Sequence, residues 1–156
     1  MLPYYSTATK TLYTTDANST SAIQQYSVPD VSVGEFHRLL IVPRGDIYIM
    51  GGIIKTTETN KVFKFEYSSS KFIDRPPMIF PRSSFAAVFL SVDKGAIFVI
   101  GGKRDGMPSA DCERYDIALN KWKSIASLNY AAYAASACAF NSTSIFKFGG
   151  IGPGKQ

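Results

Sequence analysis

Side chains able to do covalent or metal chemistry are sparse in this chain of 156 residues. There is one histidine, His37, inside the strand-like stretch Phe36 to Ile41, where a structural or surface role is expected. The two cysteines, Cys112 and Cys138, make no disulfide framework and lack the spacing of a zinc site. They read as buried or half-buried free thiols of a reducing compartment. Asp105 and Asp111 flank the stretch Gly-Met-Pro-Ser-Ala, and a lone loop aspartate sets a turn. No nucleophile elbow, P-loop, HExxH or CxxC occurs. The sequons Asn18-Ser19-Thr20 and Asn141-Ser142-Thr143 read as chance matches, because no secretory signal accompanies them. The expectation is therefore a protein with no catalytic residue, no metal and no cofactor.

Composition narrows the class further. With 46% hydrophobic and 19% charged residues, the chain is not intrinsically disordered. A chain of this length buries roughly 68–70% of its extended surface, enough for a real core. Nine tyrosines and eleven phenylalanines favour strands, so an all-β protein is expected. The net charge of +5 comes from 17 Lys and Arg against 12 Asp and Glu. These cations are scattered, and the longest run is Lys103-Arg104, whereas a nucleic-acid binder gathers them in a patch or stripe. No stretch approaches the roughly 18 apolar residues of a membrane span. Residues Met1 to Ser6 carry neither a basic nor an apolar signal region. A cytoplasmic protein with neither a nucleic-acid nor a membrane partner follows as the expectation.

The elements that position everything else come from an internal repeat. Gly-Gly pairs stand at Gly51-Gly52, Gly101-Gly102 and Gly149-Gly150, separated by 50 and 48 residues. Each closes a short apolar run, Asp46 to Met50, Ala96 to Ile100 and Ser144 to Phe148, which reads as a buried strand with a sharp exit. Fourteen residues after Gly51 and Gly101 come Phe65 and Tyr115, each followed by an acid. Seven residues further stand Phe72 and Trp122. The polar stretches between them, Ser68 to Lys71 and Asn120-Lys121, suit hairpin turns.

This constellation resembles the kelch repeat, and the resemblance covers roughly residues 36–150. It is carried best by Gly101-Gly102, Tyr115-Asp116 and Trp122, with Gly51-Gly52, Phe65-Glu66 and Phe72 as a second copy and Gly149-Gly150 opening a third. The resemblance implies a kelch-type β-propeller of four-stranded antiparallel blades. The paired glycines would serve a crowded strand exit, and the aromatics would be buried between blades. Innermost strands are expected at Phe36 to Ile41, Phe85 to Leu90 and Ala134 to Phe140, and the second strands end in the glycine pairs. Tyr5 and Leu12 share the seven-residue spacing of Tyr115 and Trp122. Residues 1–34 are therefore expected to be the last two strands of a preceding blade plus a long loop over 14–34, and residues 35–156 two full blades and the first half of another.

The expected twelve strands amount to about three blades, an incomplete propeller with two apolar faces bare. Three explanations stay open: a piece of a longer kelch protein, association with itself or another chain to complete the ring, or divergent strands without a sequence signature. Lys147 stands where the other copies have Ile49 and Val99, which marks one altered face.

Function is expected in the loops, because a rigid β-scaffold recognises partners there. The loop after each glycine pair and the loop leading into each innermost strand are expected on one face. They offer Lys55, Glu58, Arg75, Arg82, Lys103, Arg104, Asp105, Met107 and Tyr130. A rim of Arg and Lys with Met and Tyr suits protein recognition, of acidic segments in particular. Proteins similar in kelch repeats serve as substrate adaptors of ubiquitin ligases or as cytoskeletal scaffolds. Such adaptors usually carry a BTB domain, and none is read in this sequence. Galactose oxidase shows that some kelch-fold proteins are enzymes. Its copper chemistry uses two histidine ligands, and His37 alone cannot supply them. The alternative reading is thus part of a kelch-fold enzyme whose catalytic residues lie in other blades.

Overall fold

The structure, a computed structural model, describes residues 2–15, 23–29 and 31–154. The Asn18-Ser19-Thr20 sequon lies outside the described residues. The strands in chain order are β1 (Leu2–Ser6), β2 (Thr11–Thr15), β3 (Gln24–Ser27), β4 (Arg38–Ile41), β5 (Ile47–Met50), β6 (Ile53–Ile54), β7 (Thr57–Glu58), β8 (Val62–Glu66) and β9 (Lys71–Arg75). They continue with β10 (Ala86–Leu90), β11 (Ala96–Ile100), β12 (Lys103–Arg104), β13 (Met107–Pro108), β14 (Cys112–Asp116), β15 (Lys121–Ile125), β16 (Ser136–Ala139) and β17 (Ile145–Phe148). One 3-10 turn, Val92–Lys94, is the only helical element among the described residues.

Two four-stranded antiparallel blades result, β4-β5-β8-β9 and β10-β11-β14-β15, followed by the hairpin β16-β17. Phe65 stands opposite Phe72, and Tyr115 opposite Trp122. The turns between these strands carry Ser70 and Asn120 at φ 53° and 54°, conformations that short polar residues tolerate. The innermost strands are shorter than their apolar runs suggest. Phe36, Ser84 and Ala134 sit just before them at φ 55°, 52° and 54°. One left-handed residue at each entry swings the chain from loop to strand, so Phe36 itself is exposed.

The glycine pairs are required by backbone crowding. Gly51 and Gly101 have φ 61° and 60°, and a Cβ there would stand 2.6 Å from the Arg82 carbonyl oxygen and 2.5 Å from that of Ala132. These carbonyls belong to the loops entering the next blade, and they accept from the Gly52 and Gly102 amides at 2.9 Å each. The glycine exit thus sews each blade to its successor.

Apolar side chains fill the spaces between blades. Tyr48, Met50 and Val62 of the first blade meet Ile97, Val99 and Tyr115 of the second. Ile100 and Cys112 of the second meet Ala137 and Ile145 of the last hairpin. Each fully buried side chain of this size contributes about 1.5–3 kcal/mol. Near the axis, Arg38 on β4 donates to the Phe85 carbonyl at 2.7 and 3.0 Å and to that of Ala135 at 3.5 Å, tying three successive units together.

The N-terminal sheet departs from expectation. It has three strands in the order β1-β2-β3, with β3 inside the segment read as loop. Tyr5 pairs with Leu12 in the expected register, but β1 lies beside the innermost strand β4. Tyr5, Leu12, Val28 and Val31 close over Ile47, Ile49, Phe63 and Phe65 of the first blade. Phe65 and Phe72 face backward toward this sheet, whereas Tyr5 and Leu12 face forward onto the blade. The reason is burial: the apolar flank of the first blade needs a cover, and these side chains provide it.

The flank of the first blade is therefore covered by the N-terminal sheet, whose own far side exposes Tyr4, and one blade flank stays bare among the described residues. It is the outer side of β16-β17, where Phe140, Phe146 and Phe148 are exposed and their rings touch at centroid distances of 5.0 and 6.2 Å. Cys138 shares this side and is exposed, contrary to the expectation of a buried or half-buried thiol, while Cys112 is buried. Lys147, on the opposite side of β17, is half-buried and donates to the Gly149 carbonyl at 2.6 Å.

Candidate functional site

The loops that follow the glycine pairs meet the loops that enter the innermost strands. Isolated bridges join Glu35 to Ile53, Ser83 to Lys103 and Tyr133 to Ile151. This forms one continuous loop face. Within it the post-glycine loops fold into the short hairpins β6-β7 and β12-β13. Asp105 and Gly106 turn β12 into β13 at φ 52° and 74°, the positive-φ pair that a tight two-residue hairpin demands.

Cations on this face are held by aromatic rings. The Lys103 ammonium stands 4.3 Å from the Tyr133 ring centroid, and the Arg104 guanidinium 4.1 Å from that of Phe80. Arg104 also pairs with Asp111 at 3.1 Å. Burial pushes the Asp111 carboxyl up, but hydrogen bonds from Ser109 and Arg104 and the charges of Arg104 and Arg82 outweigh it, and its pKa lies below the usual range. The Glu58 carboxylate accepts from the Gly106 amide at 3.3 Å and from the Ser83 hydroxyl at 3.4 Å, so one hairpin braces the next. Lys55 and Asp105 occupy the hairpin tips, exposed. Met107 is 65% and Tyr130 84% exposed.

Two candidates sit elsewhere. Arg75 ends β9 and is half-buried. Burial raises the pKa of the Tyr48 and Tyr115 phenols, with Tyr115 and Asp46 adding to the rise at Tyr48, which is pushed up to about 12, and the Arg75 charge opposes both shifts. Arg82 is corrected outright: it is 1% exposed and cannot meet a partner as a surface loop residue. Its guanidinium reaches Glu113 Oε1 at 2.6 Å and the carbonyls of Gly101 and Asp111 at 2.7 and 2.8 Å. Glu113, equally buried, also accepts from the Ile79 and Phe80 amides at 2.6 and 3.1 Å. The pair locks the entering loop onto the second blade. Phe80 and Tyr133, which seat the cations, were missed by sequence reasoning. The available signal was the pair of cations directly after Gly102.

His37 is structural in its surroundings. Its Nδ1 donates to the Gly34 carbonyl at 2.8 Å, and its ring meets Tyr5 edge-on. Asn141 of the second sequon caps the β16-β17 turn, its side-chain oxygen accepting from the Thr143 and Ser144 amides. Among the described residues, no three His, Cys, Asp or Glu side chains gather as a metal site. No helix of the described residues is long and apolar enough to cross a membrane.

Blades of four antiparallel strands, sewn together by Gly-Gly exits and closed by paired aromatics, define a β-propeller architecture. The family model of the Kelch motif matches residues 81–129. Kelch-like protein 41a of Danio rerio is 38% identical over 86 residues, 54% of this chain and 14% of its own length. An F-box/kelch-repeat protein of Arabidopsis thaliana is 40% identical over 83 residues, 51% of this chain and 23% of its own. Kelch-like protein 23 of Homo sapiens is 29% identical over 132 residues, 82% of this chain and 22% of its own. The chain thus carries a Kelch motif and is similar to kelch-repeat proteins, and it spans a quarter or less of the length of these relatives.

Proposed function

We propose that the chain is a protein–protein interaction module whose partner docks on the loop face. The observation that carries this reading is the pre-set cationic rim: Lys103 and Arg104, each seated on an aromatic ring beside the exposed Met107 and Tyr130. Side chains held in place before binding lose little freedom on association, and half-exposed cations at such a rim select acidic segments. Lys55 extends the rim onto the first blade. Self-association through the uncovered face of β16-β17 belongs to the same proposal, since an exposed aromatic cluster seeks cover. We place the module in the cytoplasm, to which its free thiols are suited, and divide it into an N-terminal unit, 1–34, and a kelch unit, 35–156. An adaptor or scaffold role fits such a module, and the F-box in the name of one relative favours the adaptor.

The test is affinity capture with Lys103→Glu and Arg104→Glu chains beside a Lys64→Glu control, Lys64 being a cation in the middle of β8, away from the loop face and paired with Asp46. The reading expects partners to be lost from the first two and kept by the control. Equal recovery by all three would remove the loop face from the reading.

A further inference from the structure

Repeat equivalence exposes one unfilled position on the loop face. In the second blade the entering loop is fixed by the Met78 amide on the Asn60 carbonyl and the Arg82 amide on that of Thr59. In the following unit, the Leu128 amide on Ala110 and the Ala132 amide on Ser109 do the same. These bonds place Tyr130 at the position of Phe80. The bridges Ser83 to Lys103 and Tyr133 to Ile151 likewise place Gly152 at the position of Arg104. Phe80 is half-buried under the Arg104 guanidinium, at 4.1 Å. Tyr130 has no cover from Gly152, which carries no side chain, and is 84% exposed. Gly152 lies close to this loop: a Cβ on it would stand 3.3 Å from the carbonyl oxygen of Ala131, the residue after Tyr130.

From this we infer that Tyr130 is the docking ring for an arginine side chain of the partner, which takes the place that Arg104 fills within the chain one repeat earlier. The ring's negative face attracts a planar guanidinium. Residues 126–132 bring no charge of their own to oppose or mimic it. The inference rests on the loop face being the partner surface, and it adds a second feature: the docking segment is mixed in charge, with acids toward Lys103 and Arg104 and an arginine toward Tyr130.

The test selects phage-displayed random peptides on the full chain and measures the recovered sequences as synthetic ligands. A recurrent arginine is expected. Replacing it by citrulline should weaken binding about 2- to 5-fold, the range of an exposed cation–ring contact. Tyr130→Leu should weaken binding at least as much and abolish the citrulline effect, whereas Tyr130→Phe stays within about 2-fold. Gly152→Arg, which supplies a cation from within the chain, should also weaken the arginine peptides. Peptides that lose affinity on Tyr130→Leu but contain no cation would overturn the arginine. Peptides sensitive to Arg104→Glu but indifferent to Tyr130→Leu would overturn the docking ring and leave the loop face standing. No recovered binder, or binders indifferent to both substitutions, would overturn the inference and the loop face together.

Discussion

Removing the Arg82 guanidinium should destabilise the fold severely, although a loop arginine is ordinarily replaceable. Arg82→Met keeps most of the aliphatic volume. It leaves the Glu113 carboxylate buried with only the Ile79 and Phe80 amides as donors, and it strips the Gly101 and Asp111 carbonyls of the donor that both share. Breaking one side of a buried ion pair costs about 3–5 kcal/mol; the Asp111 carbonyl keeps the Gly101 amide at 3.1 Å, so the unpaired-acceptor cost of about 1–3 kcal/mol applies at most to the Gly101 carbonyl. The lower figure already takes a large share of the roughly 5–15 kcal/mol that holds a domain together. Because Arg82→Met could leave no folded baseline, Glu113→Gln is the milder companion. It keeps one acceptor oxygen, for the Phe80 amide and Arg82, and loses the charge and the acceptor for the Ile79 amide. Urea unfolding followed by fluorescence gives both losses, and the double variant gives their coupling, expected at about 2 kcal/mol or more. A loss under about 1 kcal/mol for Arg82→Met would refute the argument. It would mean that the guanidinium lies in solvent and is free to meet a partner.

Three further outcomes follow from the same packing. Trp122 is half-buried, with its ring 5.0 Å from Tyr115 and its indole N–H donating to the Pro76 carbonyl at 2.8 Å. Trp122→Ala should therefore cost about 2–3 kcal/mol in urea unfolding, below the range for a fully buried tryptophan, and a loss under about 1 kcal/mol would place the ring outside the blade contact. A thiol reagent should label Cys138 quickly and Cys112 slowly, since burial raises the Cys112 pKa; equal rates by mass spectrometry would contradict the burial. Burial holds His37 below its ordinary 6.5, with the Gly34 hydrogen bond opposing and the Arg38 charge reinforcing the shift. The unfolded chain thus takes up this proton first. The stabilisation is full above pH 6.5 and declines as pH falls toward the folded value. His37→Asn should flatten urea midpoints over this window, and an unchanged slope would clear His37 of the effect.

Much of the architecture was legible because its cause is local. A glycine pair after four or five apolar residues announces a strand whose exit has no room for a Cβ, and the seven-residue spacing of Tyr115 and Trp122 is the register of a tight hairpin. Arg82 was misread because a cation in a loop looks solvated. Its partner, however, was in view: Glu113 shares strand parity with the buried Tyr115 and so faces inward, where a carboxylate needs a cation. The N-terminal sheet was legible in its pairing but not in its facing. Which side of a hairpin is buried depends on the flank it must cover, here Ile47, Ile49, Phe63 and Phe65, and that flank is distant in sequence. The seating of Lys103 and Arg104 on Tyr133 and Phe80 joins residues 30 and 24 positions apart, and no spacing rule reaches across a blade.

The most direct test of the loop face is site-specific photo-crosslinking. A photoreactive side chain is placed at Met107 on the loop face, or at Ser68 in the β8-β9 turn at the opposite end of the first blade. Partner adducts identified by mass spectrometry should form from position 107, should be displaced by an acidic, arginine-bearing peptide, and should be absent from position 68. Adducts that form from position 68 and not from 107 would contradict the account.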